Sequence, residues 1–141
     1  MTPLWRSTVT RDELAALFDP IQHSNVECDG FSRIVFSVLT ERGHKPILKA
    51  GALSARGAIV RPHLWIEVYG FMIDYQARRW LGHEPWIPHG VFRASETEAI
   101  YEGVTIEVKV LPEPIRRLML MSFADVESES QSRLITPEII R

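Results

Sequence analysis

The chain has 141 residues, of which 45% are hydrophobic and 24% charged, with a formal net charge of −2 and a single cysteine. That length suits one domain with a self-supporting core, and the near-neutral charge offers no electrostatic footprint for nucleic acid. One cysteine excludes an internal disulfide and a thiolate zinc cage. There is no apolar run of membrane-spanning length and no apolar signal-peptide centre, so the expectation is a cytoplasmic protein without a membrane partner.

In chain order, "TRDELAALF" predicts a helix over 10–18. Thr10 with Glu13 makes a capping box, Leu14, Leu17 and Phe18 share a face, and Pro20 stops the run. "CDGFSRIVFSVLTERG", residues 28–43, predicts a second helix. Its wide stripe of Phe31, Ile34, Val35, Val38 and Leu39 calls for burial, against a narrow polar stripe of Arg33, Ser37 and Thr40 or Glu41. Gly43 marks its end. "KPILKAGAL" (45–53) reads as a short strand and "SARGAIVRP" (54–62) as a loop. "PHLWIEVYGFMIDYQ" (62–76) reads as a hairpin, and 78–92, punctuated by Gly and Pro, as irregular surface. Ser95 is expected to cap a short helix over 95–103. "VTIEVKV" (104–110) alternates as a half-buried antiparallel strand, with Val104, Ile106, Val108 and Val110 inward. "IRRLMLMSF" (115–123) fits a strand or a helix. Residues 1–124 form the domain, and 125–141 read as a polar, mobile tail. Helices followed by strands define an α+β fold.

The hairpin register can be tested on paper. A two-residue turn at Tyr69-Gly70 sets Val68 against Phe71, Ile66 against Ile73 and Leu64 against Tyr75. This makes one face wholly apolar. The other face then carries His63, Trp65 and Glu67 across from Gln76, Asp74 and Met72. Asp74 lies diagonal to His63, and diagonal neighbours are roughly 7–8 Å apart. A slip of one residue would mix the two faces.

A His beside an Asp is the orienting half of a catalytic triad. Cys28, at the predicted start of the buried helix, can supply the nucleophile. The partial positive charge of a helix N-terminus lowers a thiol pKa, and the Cys28 backbone N–H can serve an oxyanion. A charge at Asp74, between Ile73 and Tyr75, needs a partner, and His63 is the nearest.

These pieces resemble the transglutaminase-like branch of the papain-like cysteine enzymes. The resemblance rests on "ECDGFSRIVFSVLTERG", "HLWIEVYG" and "FMIDYQ" in that order, over about residues 20–80. It implies a catalytic helix packed on an antiparallel sheet, with Cys28 as nucleophile, His63 as general acid/base and Asp74 as orienter. It also implies an oxyanion donor a few residues before the Cys. Gln22 fits that place, with His23 and Asn25 as competing donors and an ordinary loop role as the alternative. The chain is shorter than large transglutaminases and carries neither their added β domains nor their acidic calcium loops. The expected activity is therefore cysteine-dependent hydrolysis of a peptide or amide, free or on a protein, without a cofactor. The alternatives are acyl transfer with the same triad, including arylamine acetyl transfer, and a degenerate binding module.

Other residues carry weaker readings. Trp65 shields the His–Asp pair or lines a substrate cleft. Glu67 is a second cleft carboxylate or a solvated strand residue. Arg78, Arg79 and Trp80 suit an acidic or C-terminal carboxylate group of a substrate, or a surface ion pair. His83 and His89 lack a third ligand, so no metal is expected. Ser54, Ser95 and Ser122 sit in no Gly-x-Ser-x-Gly context.

Overall fold

The structure, a computed structural model, describes residues 9–121 apart from 25 and 27, and only the backbone of Cys28. The expected tail and Ser122 lie outside the described residues. Helix α1 (Arg11–Phe18) opens on the capping box: Glu13 N–H donates to Thr10 Oγ1 at 3.2 Å and Thr10 N–H to Glu13 Oε1 at 3.1 Å. Helix α2 (Cys28–Glu41) ends before Gly43, whose φ of +89° suits a residue without a Cβ. Phe31, Ile34, Val35 and Leu39 of α2 are buried, as the stripe requires. The polar stripe of α2 is engaged too. Ser37 Oγ donates to Arg33 O and accepts from Leu111 N–H at 2.7 Å, while Arg33 donates to Lys109 O. The stripe thus holds the segment after the last strand against the helix.

Five antiparallel strands follow: β1 (Ile47–Ala55), β2 (Ala58–Val68), β3 (Phe71–Asp74), β4 (Gly90–Phe92) and β5 (Ile100–Ile106), in the sheet order β4-β3-β2-β1-β5. The α+β class holds. The central hairpin adopts the expected register, Val68↔Phe71, Glu67↔Met72 and Ile66↔Ile73. Tyr69 and Gly70 both take positive φ, +53° and +79°, a pairing that matches the twist of a two-residue hairpin. One sheet face, including Leu48, Ile66, Val68, Phe71 and Ile73, packs against α1 and α2 in the main core.

Several sequence expectations are corrected. The 54–62 loop is a hairpin: β1 runs to Ala55, Arg56-Gly57 turn with φ of +46° and +87°, and β2 begins at Ala58. Residues 78–92 are not simply surface. They supply α3 (Ala77–Leu81) and β4, and Ile87 and Phe92 are buried. The Ser95 helix is a single 3-10 turn over Ala94–Glu96. The last strand runs Ile100–Ile106, so it starts four residues before the expected Val104 and stops four before the expected Val110, and Val104 on this outer strand is 67% exposed. Alternation alone does not reveal where pairing begins. The 115–123 segment resolves to a helix, α4 (Glu113–Leu120), tied to α2 by an Arg116–Glu41 ion pair at 2.8 Å.

Candidate active site

His63 lies on β2 and Asp74 ends β3, with ladder pairing stopping just before, at Ile66↔Ile73. Beyond that point the side chains take over. His63 Nε2 donates to Asp74 Oδ2 at 2.6 Å, and both residues are buried, at 0% and 3% exposure. The diagonal contact expected from the register is therefore made.

Asp74 accepts from three further donors. Tyr101 Oη–H donates to Oδ2 at 2.8 Å, and the backbone N–H groups of Gln76 and Ala77 donate to Oδ1 at 2.8 and 3.1 Å. The two backbone bonds cap the start of α3, so chain geometry fixes the carboxylate's orientation. With the carboxylate on Nε2, the neutral ring carries its proton there and Nδ1 becomes the basic nitrogen. Removing one member of such a buried pair typically costs about 3–5 kcal/mol, since the other is left uncompensated.

The ring is enclosed by aromatics. Trp65 stacks on it with centroids 6.2 Å apart, and Tyr101 lies 6.1 Å away. Trp65, Met72 and Phe92 form a second buried cluster with Tyr101, on the opposite sheet face from the main core. Trp65 is 1% exposed, so it shields the pair and presents no surface to a ligand. Its indole N–H donates to Glu67 Oε2 at 3.0 Å. Glu67 is thereby a partly exposed partner of Trp65.

Cys28 is the first residue of α2, where the sequence put it. Its side chain, like Asn25, lies outside the described residues. Gln22 sits in the turn after α1, where its Nε2 donates to Asp19 O at 3.0 Å and its Oε1 accepts from His89 Nε2 at 2.8 Å. Arg78 Nε donates to Ile87 O at 3.0 Å, and Arg79 Nη1 to Val26 O at 2.9 Å, two residues before Cys28. Both arginines brace backbone, and neither forms an ion pair among the described residues. Trp80 is 57% exposed. Gln22, Arg78, Arg79, His83 and His89 line one cavity of about 650 Å³.

Tyr75 Oη donates to Asp19 Oδ1 at 2.6 Å, and burial together with this contact raises its pKa. His89 is held below its ordinary value, first by burial and then by Arg78. Among the described residues, no group of three His, Cys, Asp or Glu could hold a metal ion, and no helix is long and apolar enough to cross a membrane.

Sequence reasoning missed Tyr101, which it placed in a helix. Only the β5 register brings its hydroxyl to Asp74. The caps from Gln76 and Ala77 did carry a signal, an Asp shortly before a helical run. No family model, no curated protein and no solved structure matches the chain.

Proposed function

We propose that this protein is a cysteine-dependent hydrolase of peptide or amide bonds, built on a papain-like, transglutaminase-like core. Cys28 is its nucleophile, His63 its general acid/base and Asp74 the positioning residue. The observation that carries this reading is the buried 2.6 Å His63–Asp74 bond on adjacent strands, in a chain whose only cysteine begins a buried 14-residue helix. Four donors on one carboxylate and two aromatic rings on one imidazole support a group whose tautomer matters.

In this reading His63 Nδ1 takes the Cys28 proton and the thiolate attacks the substrate carbonyl. An S–C bond forms, and the oxyanion is held by the Cys28 N–H and by the Gln22 amide. Collapse breaks the C–N bond as His63 returns its proton to the departing amine. Water, deprotonated by His63, then cleaves the thioester and releases the acid and the free thiol. A second amine in place of water would give acyl transfer through the same thioester.

Iodoacetamide alkylation of Cys28 between pH 5 and 9 tests the proposal. The wild type should react with an apparent pKa well below the ordinary thiol value of about 8.5. His63→Gln, checked for folding by circular dichroism, should restore the ordinary value. Identical ordinary profiles in the two proteins would overturn the assignment.

A further inference from the structure

The cavity beside the Asp74 strand contains polar atoms with nothing to bind. Gln76, two residues after Asp74, is 3% exposed, and its Oε1 is buried without a hydrogen-bond partner. His89 Nδ1 and Ser24 Oγ share that condition, and all three residues line the cavity. Because His89 Nε2 donates to Gln22 Oε1, the neutral ring presents Nδ1 as a bare acceptor. Burial and Arg78 favour that neutral form. Two buried acceptors in one wall call for a ligand that brings N–H or O–H donors.

The charge of the lining narrows the choice. Among the described residues it includes Arg78 and Arg79 and no carboxylate, while Asp74 and Asp19 act on His89 from behind the wall. The two guanidinium groups favour a ligand whose charge is negative and whose donors are neutral. Each guanidinium is anchored through one nitrogen, Arg78 to Ile87 O and Arg79 to Val26 O, which leaves further N–H groups on a braced head. A volume of about 650 Å³ falls in the range of small-ligand sites, roughly 300–1,000 Å³.

We propose that this cavity binds the C-terminal end of a peptide, its carboxylate on Arg78 and Arg79 and its last amide N–H groups on Gln76 Oε1 and His89 Nδ1. A peptide end combines an anion with neutral donors, which an amine does not; phosphate, an anion with O–H groups, is the competitor the test includes. The site lies between the loop preceding α2 and the residues following Asp74. Its meaning for catalysis rests on the hydrolase reading above, in which it selects substrates cleaved near a free C-terminus. Its binding stands apart from that reading.

The test titrates full-length ¹⁵N-labelled Cys28→Ser protein with N-acetyl-Ala-Ala as the free acid, the same peptide as its C-terminal amide, and inorganic phosphate. The free acid should saturate and shift the Gln76 side-chain amide and the His89 ring nitrogens. The amide form should bind about tenfold more weakly, as should the free acid to the Arg79→Gln protein, because each lacks a charge-assisted contact. Equal affinity for acid and amide, no saturable binding, or phosphate matching the acid would each overturn the proposal. The two readings fail separately. Saturable binding of the acid with no turnover of any peptide by the wild type removes the hydrolase and leaves the site. Turnover of amide-capped peptides at the same kcat/KM as free acids removes the site and leaves the hydrolase.

Discussion

Replacing Asp74 by Asn gives a sharp test, because the geometry allows the amide only one orientation. With its NH₂ at the Oδ1 position, the new side chain would point hydrogens at the backbone N–H groups of Gln76 and Ala77, now at 2.8 and 3.1 Å. Backbone donors cannot turn into acceptors. The amide oxygen must therefore take the Oδ1 place, and the NH₂ must take the Oδ2 place, facing His63 Nε2 at 2.6 Å and Tyr101 Oη at 2.8 Å. The tyrosine hydroxyl can rotate to accept. The imidazole must offer a lone pair at Nε2, which moves its proton to Nδ1. In the proposed mechanism that tautomer cannot take a proton from Cys28. The variant should fold, with a stability loss of about 1–3 kcal/mol for exchanging charged for neutral hydrogen bonds. Its kcat should fall by roughly 10³–10⁴, the scale seen when an orienting carboxylate becomes an amide in a serine-protease triad. At pH 6, where an ordinary thiol is almost wholly protonated, Cys28 alkylation should slow about a hundredfold. The tautomer is read from the His63 ring ¹⁵N shifts, and the thiol from iodoacetamide rates. A folded Asp74→Asn protein with a switched tautomer and an undiminished alkylation rate would refute the coupling of this pair to Cys28.

Three further outcomes follow from the structure. His89 has its pKa lowered from 6.5 on folding, so as pH falls below about 6.5 the unfolded chain takes up the proton first and stability is lost. Calorimetry should find a lower Tm at pH 5 than at pH 7.5, and a smaller difference in His89→Gln; an equal difference would remove His89 as the cause. Gly103→Ala places a Cβ 2.4 Å from Ala50 O and 2.9 Å from the Trp65 ring, so it should cost about 1–3 kcal/mol by overpacking, seen as a Tm lowered by several degrees. Tyr75→Phe deletes the 2.6 Å bond to Asp19 Oδ1 and should cost about 1.5–3 kcal/mol of stability, read as a lowered urea midpoint at constant m.

Legibility in the sequence tracked the range of the interaction. The capping box of α1, the buried stripe of α2 and the Tyr69-Gly70 turn are decided by residues a few positions apart, and all appear as expected. The His63–Asp74 contact was legible because one apolar face fixes the register and the register fixes the diagonal. The Arg56-Gly57 turn escaped because Arg at positive φ is not a turn signature, and the long β1–β2 hairpin escaped with it. The β5 start was misplaced because an outer strand is held by ladder bonds more than by a buried face, so hydropathy carries little of its signal. Tyr101 was lost for the same reason. The link between Gln22 and His89 joins residues 67 positions apart through side chains alone, and no local pattern encodes it.

The sheet order separates β5 from β3 by two strands, yet the Tyr101 hydroxyl reaches Asp74, and its ring lies 6.0 Å from Phe92 on β4. Side chains of the two outer strands thus meet beside His63. Gly51 opposite Gly103 permits the close approach of β1 and β5, where any side chain would strike backbone. The seam is closed by the strand latest in the chain, so the imidazole is insulated only once residues 100–106 have docked. Detaching that one strand would remove a donor from Asp74 and a ring from His63 in a single event. Amide exchange along β5 is therefore a direct gauge of whether the pair beneath it is assembled.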